Sequence, residues 1–321
     1  MYLKNKGLFS LLLCLLCLPL QAGWFGFSPK DRQEFVHARD VFRQGNYPQA
    51  VQELSQYIYK TKNIKRREAR AYRLLGESYE HLNRPEKALE TYLEALEFHQ
   101  KDIPLLLAAA ALYQRTELTD RSIELYDRVL KLDPGHLEAL SGQAENYMRI
   151  GFYSKSKQYY DQFFQLSPQA PSIHRARYAY SFLKQRDWAN AFINITMAKT
   201  EDPEKADYWL LSARAYKGLG RTADALADLE VALLLQPQRE DLRAIEALWQ
   251  YQMQDYNAST QTAQAILARQ PEDELALFTL YLNLQKQGKT AQAKTVLRQI
   301  QALGHDSFAH RLSNQILSGN K

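Results

Sequence analysis

The sequence predicts an all-α solenoid of about eight helix-turn-helix units in series, closed by a C-terminal capping helix. Three observations carry that expectation. Pro134, Pro168, Pro203, Pro237 and Pro271 recur every 34 or 35 residues, the period of a two-helix repeat. Two columns of small residues run in step with them: Ala38, Gly76, Ala110, Ala144, Ala179, Ala213 and Ala247, then Ala50, Ala88, Ser122, Ser156, Ala191, Ala225, Ser259 and Ala293. Within a period, apolar positions such as Trp209, Ala213 and Tyr216 fall four and three apart, the spacing of one helix face.

From the N-terminus, Lys4 and Lys6 precede an apolar run from Leu8 to Leu20, followed by Gln21, Ala22 and Gly23. A short basic segment, a short apolar stretch and a small residue describe a secretory signal peptide over residues 1–22, cleaved near Ala22. The run is shorter than the roughly 20 residues a membrane span needs, so a stable span is not expected. Cys14 and Cys17 follow Leu13 and Leu16, whereas a lipoprotein signal wants a small residue before its cysteine. They read as apolar residues of the signal. Cleavage removes both cysteines and takes the formal charge from +5 to +3, because Lys4 and Lys6 leave with them. An exported chain without thiols suits a bacterial periplasm, and so small a charge does not imply nucleic acid.

Residues 23–30, GWFGFSPK, form a short arm. Its Trp24, Phe25 and Phe27 either cap the first unit, dock on a partner or touch a membrane surface peripherally. Units are expected at 31–64, 69–102, 103–136, 137–170, 172–205, 206–239, 240–273 and 274–307. Each proline ends a unit because it cannot continue a helix and pushes the preceding residue out of helical geometry. Lys62 and Gln100 stand where the first two units lack it, and Pro171 is one extra residue. Small residues let the paired helices approach, while Tyr92, Tyr126, Tyr160, Ile195 and Leu229 fill the space beside them. Neither helix buries its apolar face alone, so neighbours must stack. Tyr281 takes the small-residue position of the last unit. After it, Asp306 starts a helix with Phe308, Leu312, Ile316 and Leu317 on one face, and residues 308–321 are read as capping helix and tail.

The segment YRLLGESYEHLNRPEKALETYLEAL, from Tyr72 to Leu96, resembles a tetratricopeptide repeat in its LG pair, tyrosines and alanines. Trp209 to Pro237 is as similar, and the likeness covers nearly all of the chain after residue 22. It implies a right-handed superhelix whose first helices line a concave groove for a protein partner. Residues off the packing face of those helices are then Arg39, Arg43, Arg70 and Arg73, tempered by Glu77 and Glu80. Leu107 and Ala111 follow, then Arg177, Tyr180 and Arg214, then Leu248, Tyr251, Phe278 and Leu282. The groove reads basic at its entry and aromatic or aliphatic beyond. The family's clamp for a C-terminal carboxylate is not expected, because Glu77, Ala111 and Glu145 stand at comparable positions.

Catalytic, cofactor and metal motifs are missing from the sequence. Its seven histidines lack the spacing of a metal site. Gly288, Lys289 and Thr290 mimic the end of a phosphate-binding loop, but Asn283 replaces the upstream glycine and no strand precedes it. The expectation is a non-enzymatic scaffold for protein partners in the cell envelope, in an assembly or secretion apparatus. A periplasmic module for an anionic glycan or cell-wall polymer is the alternative.

Overall fold

The computed structural model describes residues 29–61, 68–304, 307, 310 and 311. The signal segment with its cleavage position, the aromatic arm, Lys62 and the expected cap residues Phe308, Leu312, Ile316 and Leu317 lie outside them. Among the described residues there are sixteen helices and no strand. They come in consecutive pairs. α1 (Pro29–Arg43) precedes α2 (Tyr47–Thr61), α3 (Ala69–His81) precedes α4 (Pro85–Phe98), and α5 (Ile103–Arg115) precedes α6 (Thr119–Leu132). Next come α7 (Leu137–Arg149) with α8 (Tyr153–Leu166), α9 (Ser172–Lys184) with α10 (Trp188–Glu201), and α11 (Ala206–Gly218) with α12 (Thr222–Leu235). The last are α13 (Glu240–Gln252) with α14 (Tyr256–Leu267), and α15 (Glu274–Lys286) with α16 (Thr290–Ala302). All five ladder prolines fall in connections between pairs. The chain divides between Asn146 and Tyr147 into two compact bodies.

Within every pair the turn is three residues long, and its chemistry is the same throughout. One residue sits in the left-handed region: Gly45, Asn83, Glu117, Gly151, Arg186, Gly220, Gln254 or Gly288. The next residue's N–H then reaches five residues back, as in Arg84 to Tyr79 at 2.9 Å, Phe152 to Tyr147 at 2.8 Å and Lys289 to Leu284 at 2.9 Å. That six-to-one bond is a Schellman closure, which satisfies a carbonyl the helix end would otherwise leave open. Asp102, Asp187, Asp255 and Asp273 cap the following helices by accepting a backbone N–H three residues on.

Glu117 holds this conformation at φ 63°. A side chain there crowds the backbone, a strain that glycine avoids at some cost in unfolded-chain entropy. Glu117→Gly is expected to stabilise the chain by about 0.5–1 kcal/mol, and Gly220→Ala to destabilise it by a similar amount. Thermal melts of the two variants check the opposed signs.

Every alanine and serine of the two small-residue columns has no measurable exposure, and Gly76 is buried too. Body one packs Phe35, Leu54, Tyr57, Leu74 and Leu75 in one cluster and Tyr72, Tyr92, Leu105, Leu106 and Tyr126 in another. In body two the clusters centre on Ile195, on Leu229 and on Leu297. Two glycines admit large rings. A Cβ on Gly76 would stand 2.2 Å from Cε1 of Tyr92, and one on Gly142 would stand 2.4 Å from Cζ of Tyr126.

Serine in the second column brings a polar seam. Ser122 Oγ donates to the Ala110 carbonyl at 2.9 Å and accepts from Asn146 Nδ2 at 2.8 Å. Ser259 repeats this with the Ala247 carbonyl and Asn283 Nδ2, both at 2.7 Å, and Ser156 meets Ser181 at 3.0 Å. Each seam ties a second helix to the first helix of the following unit, although the amide oxygens Asn146 Oδ1 and Asn283 Oδ1 are buried there without a hydrogen-bond partner. Proline carbonyls are also used. Trp209 Nε1 donates to Pro203 at 2.6 Å and Arg243 to Pro237 at 3.2 Å, and Arg175 reaches Pro168 in the same way.

Candidate functional site

In body one the expected basic entry is largely neutralised by its own neighbours. Arg39 donates to Asp40 through Nε at 3.0 Å and Nη2 at 2.8 Å, and exposed Arg43 lies 3.8 Å from the same carboxylate. Arg73 pairs with Glu77 at 2.9 Å, one turn on in α3. Burial raises the Glu77 pKa above its ordinary value, with Arg73 pulling it back down. Arg70 is exposed. Leu107 is 8% exposed and packs in the core beside Leu106, so its contribution is to packing rather than to a ligand surface. Ala111 is partly buried.

Body two brings the central part of the expected set together. Arg177 and Tyr180 lie on α9 and Arg214 on α11, and all three line a pair of adjoining cavities. The smaller, about 320 Å³, is walled by Ile173, Ala176, Arg177, Asp207, Tyr208 and Leu211. The larger, about 430 Å³, lies among α9, α11, the start of α10 and α13. Tyr180 borders both, so they form one groove along the first-helix faces. Leu248 and Tyr251 on α13 are partly exposed, but neither lines these cavities. Tyr251 instead packs its ring 5.5 Å from that of Tyr256. Phe278 and Leu282 pack against the core of the last helix pair.

Most of the larger cavity's lining was not expected from the sequence, Lys184, Trp188, Lys217 and Trp249 among it. Helical spacing gave one inward face per first helix. Trp188 belongs to the start of a second helix, and Trp249 comes from the following unit. Gly218 explains why Trp188 can line the groove at all. A Cβ there would stand 2.1 Å from the indole Cδ2, so only glycine lets that ring lie against α11. Trp249 is 8% exposed and belongs to the core.

The larger cavity is positive. Lys184, Arg214 and Lys217 line it, and no carboxylate does. Lys184 sits 5.2 Å from the Tyr180 ring centroid, a cation–π contact, and Lys217 donates to Thr222 Oγ1 at 3.1 Å. Burial alone lowers the Lys217 pKa, with no anion acting against it. A concave apolar floor under a few convergent cations suits an anionic ligand with an apolar part. Among the described residues no three His, Cys, Asp or Glu side chains converge as metal ligands. No helix among them is long and apolar enough to cross a membrane.

The sequence matches the family model described as Psidin, N-terminal TPR repeats region, over residues 39–180. It matches the model described as Tetratricopeptide repeat over residues 206–239. No curated protein matches it. Among solved structures it is similar to a tetratricopeptide repeat protein from Parabacteroides merdae, with 18% identity and a TM-score of 0.57 over 79% of this chain and 98% of that one. PilW, described as a widely conserved type IV pilus biogenesis factor, aligns at 17% identity and a TM-score of 0.56, covering 65% of this chain and 96% of its own. YrrB, described as having an unusual peptide-binding site, aligns at 17% identity and a TM-score of 0.52 over 58% of this chain and 93% of its own. At these identities the likeness is one of fold.

Proposed function

Because the chain belongs to the tetratricopeptide repeat family, we propose that it is a non-enzymatic scaffold that grips a segment of a partner protein in the groove of body two. The observation that carries this reading is the joined pair of cavities, with Tyr180 common to both and three cations in the larger one that no carboxylate of the described residues pairs with. Arginine, tyrosine and tryptophan are the side chains that most often anchor protein interfaces. The setting proposed is the bacterial cell envelope, in an assembly or secretion apparatus. It rests on the basic residues and short apolar run of the first 22 residues. A pilus factor and a peptide-binding protein share this fold, which is consistent with such work.

Site-specific photo-crosslinking tests the reading. A photoreactive residue at Tyr180 is expected to give a discrete protein adduct in cells, while the same residue at exposed Gln162 on α8 gives none. An adduct from the α8 position alone moves the site away from the groove. N-terminal sequencing of the periplasmic fraction checks export. A mature chain starting near Gly23 is expected, and an intact Met1 removes the envelope from the proposal.

A further inference from the structure

The larger cavity of body two has a more specific shape than a groove that merely accepts extended chain. Its floor is apolar, from Leu183, Trp188 and Trp249, and its lining carries Lys184, Arg214 and Lys217. At about 430 Å³ it stands at the lower end of ligand-site volumes, which run from about 300 to 1,000 Å³. It has room for one large side chain with its adjacent backbone, not for a folded partner.

Resting on the reading above, we propose that this cavity is a socket for a single large apolar side chain of a partner peptide, flanked in the peptide by acidic residues that meet Lys184, Arg214 and Lys217. Two observations favour a peptide over an anionic glycan. Sugars that stack on aromatic rings use a broad open face, but Trp249 is almost wholly buried and Trp188, partly exposed, has one face covered at Gly218. These indoles give an inserted group an apolar lining and leave little open platform. The cations supply the second half of the match. Lys217 is partly desolvated with no anion acting on it, so a carboxylate arriving there meets a charge that water screens poorly. The apolar anchor sets how long the peptide stays, and the cations select and orient it.

The test pans a randomised dodecapeptide phage library on the full chain, then measures the enriched peptides by fluorescence anisotropy. Enriched sequences are expected to carry one large apolar residue with aspartate or glutamate on both sides. Arg214→Glu is expected to weaken them about tenfold, the size of one lost charge pair, and less so at high salt. Serine at the apolar position should weaken them at any salt. Arg214 is exposed, so charge reversal should leave the far-UV melt unchanged, and Arg214→Gln provides a second, milder variant. No enrichment, enrichment of neutral or basic sequences, or binding indifferent to Arg214 overturns the socket. So does displacement of the peptide by polygalacturonate at matching concentrations, which assigns the cations to a glycan. If the Tyr180 crosslink persists in cells while the socket fails, the scaffold reading stands alone; if both are lost, both fall.

Discussion

Asp228→Ala is expected to lower the unfolding free energy by about 2–4 kcal/mol, one of the two largest losses expected of a polar or small-residue substitution in body two or body one. Asp228 on α12 accepts from Lys199 Nζ on α10 at 2.9 Å, and the two side chains are only 11% and 15% exposed. The ammonium also donates to Ser212 at 3.2 Å and stands 4.1 Å from the Trp209 ring centroid. The pair therefore joins two neighbouring units through α11. Removing the carboxylate leaves a largely desolvated cation with a neutral hydroxyl and an aromatic ring, and the cost is that of the charge left behind. Replacing both partners, as Lys199→Met with Asp228→Leu, should come close to wild type. Denaturation midpoints at unchanged slope read both effects; a double variant as unstable as the single one would mean that packing, not charge, holds the junction.

Gly76 is expected to reverse the advice of its own column. Six of the seven residues there are alanine, and helix propensity alone gives alanine an advantage of about 1 kcal/mol over glycine inside α3. The Tyr92 ring decides otherwise. It has no exposure, and its hydroxyl donates to Glu80 at 2.6 Å, so it cannot swing away from a new methyl 2.2 Å from Cε1. Overpacking costs about 1–3 kcal/mol, enough to outweigh the propensity gain, and Gly76→Leu should cost about 3 kcal/mol or more. Tyr92→Ala alone should cost about 3–5 kcal/mol. In that background Gly76→Ala should become stabilising, and a double-mutant cycle measures the change of sign.

The helical pairs were readable because proline, small residues and apolar spacing all recur with one period. What the period hides is the exchange between neighbours. Gly76 looks like a weak copy of alanine until the Tyr92 ring is seen against it. Asn146 and Asn283 each lie 24 residues after a serine of the second column, a signal present in the sequence but meaningless without the stacking that brings them together. At the groove, single-helix register found Arg177, Tyr180 and Arg214 because all three project from first helices, α9 and α11. It could not find the Trp188 and Trp249 walls, which need Gly218 and a second unit to make a cavity. It also placed Leu107 on the surface, although the apolar run IPLLLAAAALY buries it as α5 turns its crowded faces to both neighbours.

The uniform turn inside each pair divides the chain into seams of two kinds for protein engineering. Between pairs the connection varies in length, from residues 99–102 to residues 167–171 and 268–273, so added length there leaves every six-to-one closure intact. Inside a pair, one added residue would displace the left-handed position and undo the six-to-one closure. Foreign sequence belongs at the first kind of seam. A graft cut at 206 and 239 carries its closure, its small-residue seat and its own Gly220 as a cassette, whereas a cut at 219 would leave two halves that each lack an end.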